Sequence, residues 1–134
     1  MTMKQMTMTS TQTVNGDTDS SVMTTPVKWE FSNDAVTLTY DEQGDMRGTT
    51  TAVTVAGDTV VIQRRGLTQT RMEFTAKKRC SFDYETAAGL LKLSTVTETA
   101  DAAFTADGGT LTLRYRLYAD GGLISKNEIV MEIV

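Results

Sequence analysis

The chain has 134 residues, of which 40% are hydrophobic, with a formal net charge of −4, one cysteine and no histidine. The length allows one domain with a single core over residues 1–134, and the negative charge argues against a nucleic-acid binder that acts through bulk electrostatics. Without histidine there is no imidazole-based catalytic triad, and the commonest transition-metal ligand is missing. We therefore expect a protein that is not an enzyme and holds no metal or cofactor.

The apolar runs and the first residues predict neither export nor a membrane span. The chain begins Met-Thr-Met-Lys-Gln-Met, with no basic segment before an apolar run and no small-residue cleavage site. No stretch approaches the roughly 18 apolar residues of a membrane helix, and the single Cys80 suits a reducing compartment. These features predict a cytoplasmic protein with no membrane partner, and they do not indicate its oligomeric state.

Turn-forming residues divide the chain into about ten short runs in which apolar and polar residues alternate. The divisions lie at residues 15–17, 32–34, 42–45, 56–58, 87–89, 107–109 and 120–122. Strands joined by tight turns pair antiparallel and leave exposed edges unless the sheet closes. The pattern therefore predicts an all-β, up-and-down antiparallel barrel of about eight to ten strands. At most a helical turn is expected, between Leu67 and Thr70 or between Ala100 and Ala106.

The alternation also predicts which side chains face the core, because successive residues of a strand point to opposite faces. The inward set is Val27, Trp29, Phe31, Val36, Leu38, Tyr40, Val53, Val55, Val60, Ile62, Met72, Phe74, Phe82, Tyr84, Leu91, Leu93, Leu111, Leu113, Tyr115, Leu117, Ile129, Met131 and Ile133. Asp83, Lys92 and Arg116 are expected to be exposed. In the first strand Met3, Met6 and Met8 alternate imperfectly with threonine, so its register stays open.

Polar residues share the inward parity at a few positions, namely Thr49, Thr51, Arg64, Thr95, Thr97 and Thr99. A buried, unpaired cation is costly, so Arg64 needs a partner or a wet opening. Following strand direction through the turns places Arg64 at one end of the barrel with Tyr40, Thr49, Tyr84 and Thr86.

These residues, with Phe74 close by, form the candidate ligand site. A guanidinium offers a fork of donors that fits a carboxylate or phosphate, so Arg64 is the candidate anchor, with Tyr40, Tyr84, Thr49 and Thr86 around it. The alternative is structural: Arg64 packs across the barrel end and pairs with an acidic group such as Glu42, and the tyrosines are ordinary packing residues.

Other reactive or charged groups have simpler explanations. Cys80 follows the basic run Lys77-Lys78-Arg79, which would favour its thiolate, but no histidine is available as its base. The same run, with Arg65, Arg71, Arg114 and Arg116, offers a surface for RNA or an acidic protein, although a solvated turn and outward charges explain it as well. Nucleic-acid binding is therefore not expected.

The middle of the chain resembles a known family. The stretch Val60-Val61-Ile62-Gln63-Arg64-Arg65-Gly66, then Phe74, then Tyr84-x-Thr86-x-x-Gly89-x-Leu91-x-Leu93, resembles the YwiB-like proteins, small bacterial domains of unknown function with a lipocalin-like (calycin) barrel. The similarity runs from about Val14 to the end of the chain. It implies a lipocalin-like barrel with Arg64, Phe74, Tyr84 and Gly89 at family positions, and it implies no reaction. The chain departs from the family in its Met/Thr-rich first strand and at Thr24-Thr25-Pro26.

Two functions follow as hypotheses. The first is a binding module that takes a small amphiphilic or anionic molecule into the barrel lumen, with an affinity no better than about micromolar. The alternative is a structural or protein-interaction module with a filled barrel, acting on a protein partner through an exposed edge or its basic face. An enzyme built on tyrosine, arginine and carboxylates is the least favoured.

Overall fold

The computed structural model describes residues 2–134, with Thr86 described through its backbone alone, and its chain forms one closed barrel of ten antiparallel strands. The strands are β1 (Thr2–Val14), β2 (Asp17–Ser32), β3 (Ala35–Asp41), β4 (Thr50–Ala56), β5 (Thr59–Arg65), β6 (Gln69–Thr75), β7 (Arg79–Thr86), β8 (Gly89–Thr105), β9 (Gly108–Ala119) and β10 (Gly122–Ile133). Each strand pairs with its neighbours in sequence, and β1 pairs with β10 to close the sheet. The predicted all-β antiparallel barrel is confirmed. No helix in the described part of the chain is long and apolar enough to cross a membrane.

The expected position of the helical turn was wrong. The described residues contain one 3₁₀ turn, at Gly44–Met46, inside the loop between β3 and β4. Residues 66–68 leave too short a connection for a helical turn before β6, and residues 100–105 belong to β8 and pair with β9. The loop over residues 42–49 is the longest connection between strands, and it has room for the turn.

The core follows the predicted alternation in most strands. Among the residues predicted to face the core, six are 9% exposed or less: Trp29, Leu38, Ile62, Phe74, Phe82 and Leu113. Leu93 and Ile129, which were also predicted to face the core, are half-buried. Met6 is fully buried, which fixes the register of the first strand. Lys92 and Asp83 are exposed as expected, whereas Arg116 is half-buried.

Two inward assignments in the second half of the chain were wrong. A bulge between Thr97 and Thr99 reverses the alternation of β8, so that Ala100 opposes the inward Leu113 and Thr99 opposes the outward Arg114. Leu91 pairs with Tyr84 near the tip of the β7–β8 hairpin and is 54% exposed. The hairpin extends past the packed part of the core, so parity there no longer implies burial.

The barrel wall has two places where neighbouring strands separate. In the β2–β3 ladder, Lys28 pairs with Thr39 at one end and Ser32 pairs with Ala35 at the other. The part of β2 before Lys28 runs toward the candidate site and does not pair with β3. Pro26 lies in this unpaired stretch, where its missing N–H removes nothing from the ladder. Between β6 and β7 the ladder consists of Gln69–Glu85 and Thr70–Tyr84.

Candidate functional site

Arg64 lies inside the end of the barrel to which parity assigned it. It opposes Thr51 of β4 and Thr70 of β6, both buried, and its side chain is 26% exposed. Its Nε is 3.5 Å from Oε2 of Glu42, whose side chain is 10% exposed. The Thr51 hydroxyl donates a hydrogen bond of 2.5 Å to the same oxygen. The cation therefore has the acidic partner that an inward arginine requires.

The loop after β3 is held in place by backbone and side-chain hydrogen bonds. The Glu42 N–H donates to the Thr49 carbonyl at 2.9 Å, and the Thr49 N–H donates to the Met46 carbonyl at 3.0 Å. The Leu67 N–H donates to the Thr49 hydroxyl at 3.3 Å, which joins this loop to the β5–β6 turn. Thr49 is thus a buried loop anchor, and its hydroxyl is used within the protein.

Two tyrosines, the buried Tyr40 and the half-buried Tyr115, lie close enough to Arg64 to interact with its charge. Burial raises the pKa of Tyr40 well above its usual value, the Glu42 charge raises that pKa further, and the Arg64 charge lowers it. Burial also raises the pKa of Tyr115, and the Arg64 charge again opposes the shift. Tyr115 lies on β9, across the barrel from β5, and packs on Phe74 with ring centroids 4.7 Å apart.

Arg64 keeps donors that the described residues do not use. Among the described residues its one ion pair is the approach of Nε to Glu42, and the two terminal nitrogens have no hydrogen-bond partner there. A guanidinium has five N–H donors in a rigid fork, so the terminal pair can still bind a carboxylate or phosphate side-on. The partial exposure of the side chain leaves such an anion a route to it.

A groove of about 330 Å³ opens beside this network, where β2 and β3 separate. Residues from the first four strands line it: Met3, Thr25, Pro26, Lys28, Thr39, Tyr40, Asp41 and Thr50. Its volume reaches the lower end of the range of small-molecule pockets. Tyr40 belongs both to the groove and to the network, since it lines the groove and its phenol interacts with Glu42 and Thr51. Its hydroxyl also donates to Met8 Sδ at 4.0 Å.

The middle of the barrel is filled by its own side chains. Leu38, Phe74, Leu111 and Leu113 are all 0% exposed. Phe74 therefore belongs to the packed core beneath the site and does not face an open lumen. The lumen is closed below the level of Arg64, and a bound molecule would have to lie at the mouth or in the side groove.

The remaining predicted site residues are less closely associated. Tyr84 is half-buried at the same end of the barrel, paired with Thr70, and the side chain of Thr86 lies outside the described part of the structure. The alternation pattern predicted neither the groove at Pro26 nor the approach of Tyr115 to Arg64. Parity placed Tyr115 inward, but contacts across a barrel join strands that are not neighbours, and alternation carries no signal for them.

The arginines of the basic set are mostly paired on the outer face. Arg71 pairs with Glu73, Arg114 with Glu128 and Arg116 with Glu98. Arg79 donates to the Ser94 hydroxyl at 2.9 Å and lies 4.9 Å from the centroid of the Tyr118 ring.

In the described residues, neither the acidic side chains nor the cysteine belong to a metal-binding cluster. These residues contain no group of three or more cysteine, aspartate or glutamate side chains arranged to hold a metal ion. Cys80 is a half-buried free thiol whose Sγ lies 3.7 Å from the Ser81 carbonyl oxygen.

The fold is also found in a solved structure. The crystal structure of the ywiB protein from Bacillus subtilis is similar to this chain with a TM-score of 0.85 and 21% sequence identity, and the match covers 98% of this chain and 91% of that one. No curated protein matches the chain. A family model described as "Domain of unknown function (DUF1934)" matches residues 6–131, which includes most of the Met/Thr-rich first strand. The resemblance to the YwiB-like proteins is thereby confirmed, and the chain belongs to this family of unknown function.

Proposed function

We propose that this protein is a non-enzymatic binding module that holds a small anionic or amphiphilic molecule at the mouth formed by Arg64, Tyr40 and Glu42. The observation that carries the proposal is the partly exposed Arg64, whose terminal nitrogens have no partner among the described residues. A charge-assisted contact to a guanidinium contributes about 1.5 to 3 kcal/mol.

The filled core limits the kind of molecule that fits. An apolar tail cannot enter a lumen occupied by Phe74 and Leu38, which are 0% exposed. The groove of about 330 Å³ beside Tyr40 offers Pro26 and Met3 as apolar contacts. A ligand with its acidic head at Arg64 and a short tail in this groove satisfies both features, and the modest apolar contact keeps the affinity at micromolar or weaker.

The packed interior and the Arg64–Glu42 pair favour a second candidate, a structural or protein-interaction module without a ligand. In this alternative Arg64 closes the end of the barrel, and its charge is compensated by Glu42 at 3.5 Å. Small barrels are commonly filled by their own side chains.

Titration of the protein with octanoate, followed by NMR chemical shifts, tests the proposal. The substitution Arg64→Met keeps the apolar volume and removes the donors, so we expect binding to be lost. The matched control is Arg65→Met, because Arg65 is the next residue, is exposed and points the other way. Native mass spectrometry of the protein purified from its host would show whether a small molecule is retained.

The two candidates differ in outcome. Loss of octanoate binding in Arg64→Met with retention in Arg65→Met supports the binding module. Absence of binding in the wild type, or equal effects of the two substitutions, contradicts it. A change in stability without any change in binding favours the structural module.

A further inference from the structure

The outer face of the barrel carries a second group of cations, separate from Arg64. Arg114 and Arg116 on β9 and Lys126 on β10 point away from the core, next to Thr11 and Thr13 on β1. With Glu98 they line a groove of about 170 Å³. This volume fits a small inorganic ion or one phosphate group and is too small for a drug-sized ligand.

The pairing register places two of these cations directly opposite each other. Lys126 opposes Arg116 across the β9–β10 ladder and opposes Thr13 across the β1–β10 ladder. Like charges at directly opposed positions of an antiparallel sheet are destabilising. The neighbouring cross-strand pair combines opposite charges: Arg114 opposes Glu128, and its Nε lies 2.6 Å from a Glu128 carboxylate oxygen.

The acidic residues nearby compensate these two cations only in part. Arg116 places Nη2 2.9 Å from the Glu98 carboxylate, but its buried Nε has no hydrogen-bond partner among the described residues. Lys126 forms no ion pair with any described residue. Three cations and two carboxylates leave the groove with a net positive charge, as the count of its lining residues shows.

We propose that this groove is a binding site for a doubly charged oxyanion of the phosphate type. Lys126 supplies an ammonium that has no ion pair among the described residues, and Arg116 supplies further guanidinium donors. Thr11 and Thr13 lie on the adjoining strand, where their hydroxyls also bond to Ser20 and Thr18. An anion between Lys126 and Arg116 turns a repulsive cross-strand pair into two attractive contacts. The shared chemistry is a phosphate group, either as the free ion or as the terminal group of a small phosphate monoester.

The arrangement differs from that of other outward arginines. Arg71 on β6 pairs with Glu73, two residues along the same strand, and opposes Gln63 of β5 rather than a cation. Exposed salt bridges of this kind are ordinary surface features that contribute little. Arg71 therefore provides a matched control, since it is an outward arginine with an acidic partner but without a cation opposite.

The test is isothermal titration calorimetry with inorganic phosphate, and separately with glycerol 3-phosphate, at constant low ionic strength. We expect Lys126→Gln and Arg116→Gln each to weaken binding by at least about tenfold, the effect of losing one charge-assisted contact. Arg71→Gln is expected to bind as the wild type does. Tighter binding of glycerol 3-phosphate identifies a monoester as the preferred form, and tighter binding of inorganic phosphate identifies the free ion.

A second measurement separates binding from folding. Lys126→Glu places a carboxylate opposite Arg116, so it should raise the Tm in phosphate-free buffer and abolish the further rise that phosphate gives the wild type. The proposal is overturned if the wild type shows no phosphate binding. It is equally overturned if Lys126→Gln binds as tightly as the wild type, or if Arg71→Gln causes the same loss.

Discussion

Gly66 lies against Gly48 so closely that a Cβ at position 66 would come within 2.2 Å of the Gly48 carbonyl oxygen and 2.7 Å of the Thr49 Cα. The β5–β6 turn and the β3–β4 loop therefore meet through their backbones. This contact holds the strand that carries Arg64 against the loop that carries Glu42. It gives a physical reason for the Arg-x-Gly spacing on which the family resemblance rested, since the glycine allows the approach that pairs the arginine.

The substitution Gly66→Ala is expected to destabilise the protein by about 2 kcal/mol or more. The added methyl group meets backbone atoms that cannot rotate away, and the φ of +141° is one that L residues rarely adopt. Urea denaturation followed by tryptophan fluorescence gives the free energy of unfolding, because Trp29 lies in the core.

Gly57→Ala is the control for this substitution. Gly57 also has a positive φ, of +60°, but a Cβ there meets nothing within 4 Å. A left-handed conformation costs an L residue about 1 kcal/mol, so the control should lose less stability than Gly66→Ala. Equal losses in the two variants would show that backbone strain alone, and not the contact with Gly48, makes glycine necessary.

The Arg64–Glu42 pair should show a measurable coupling energy. We expect a double-mutant cycle of Arg64→Met and Glu42→Gln to give a coupling of about 1 kcal/mol, because both groups are largely sheltered but Arg64 keeps some contact with water. Arg64→Met should lower the free energy of unfolding more in the wild-type background than in the Glu42→Gln background, since in the wild type it leaves the Glu42 carboxylate without its cation. A coupling near zero in urea denaturation would mean that the approach of 3.5 Å does not contribute to stability.

Stability should fall at alkaline pH because of Tyr40 and Tyr115. Burial raises the pKa of both phenols in the folded protein above the ordinary value of 10.0. Well below pH 10 both phenols are protonated in the folded and in the unfolded protein, so their ionisation does not lower the stability. As the pH rises above 10 the unfolded chain ionises first, so the folded state loses stability.

Urea midpoints measured between pH 9 and pH 11 check this expectation. Tyr40→Phe and Tyr115→Phe should each make the alkaline decline shallower. Arg64→Met should increase the pKa of both tyrosines further, because the Arg64 charge lowers both values in the wild type. An unchanged decline in Tyr40→Phe would show that this phenol ionises alike in the folded and unfolded states.

Alternation and turn chemistry, together with the family resemblance, predicted the barrel, because each strand pairs with its sequence neighbour and most buried faces follow a period of two. The bulge at Glu98 could not be predicted. One extra residue reverses the parity of everything after it, and the Ala-rich stretch that follows has little apolar contrast to reveal the change. Parity was enough to predict the position of Arg64. The side groove at Pro26 could not be predicted in this way, because it depends on where β2 and β3 separate.

The buried threonines offer the last test, because the hydroxyls of two of them form no hydrogen bond with the described residues. Thr95 and Thr97 are at most 1% exposed, and their Oγ1 atoms have no hydrogen-bond partner among the described residues. Valine has the same shape without the polar atom, so Thr97→Val should stabilise the protein by about 1 kcal/mol. Thr51→Val is the matched control, and it should destabilise by about 1 kcal/mol or more because it removes the hydrogen bond to Glu42. If the two substitutions change the free energy of unfolding in opposite directions, the interior has polar positions of two kinds. One kind holds the Arg64 network together, and the hydroxyls of the other kind are unsatisfied. If Thr97→Val were destabilising as well, its hydroxyl would have to be satisfied by an internal water.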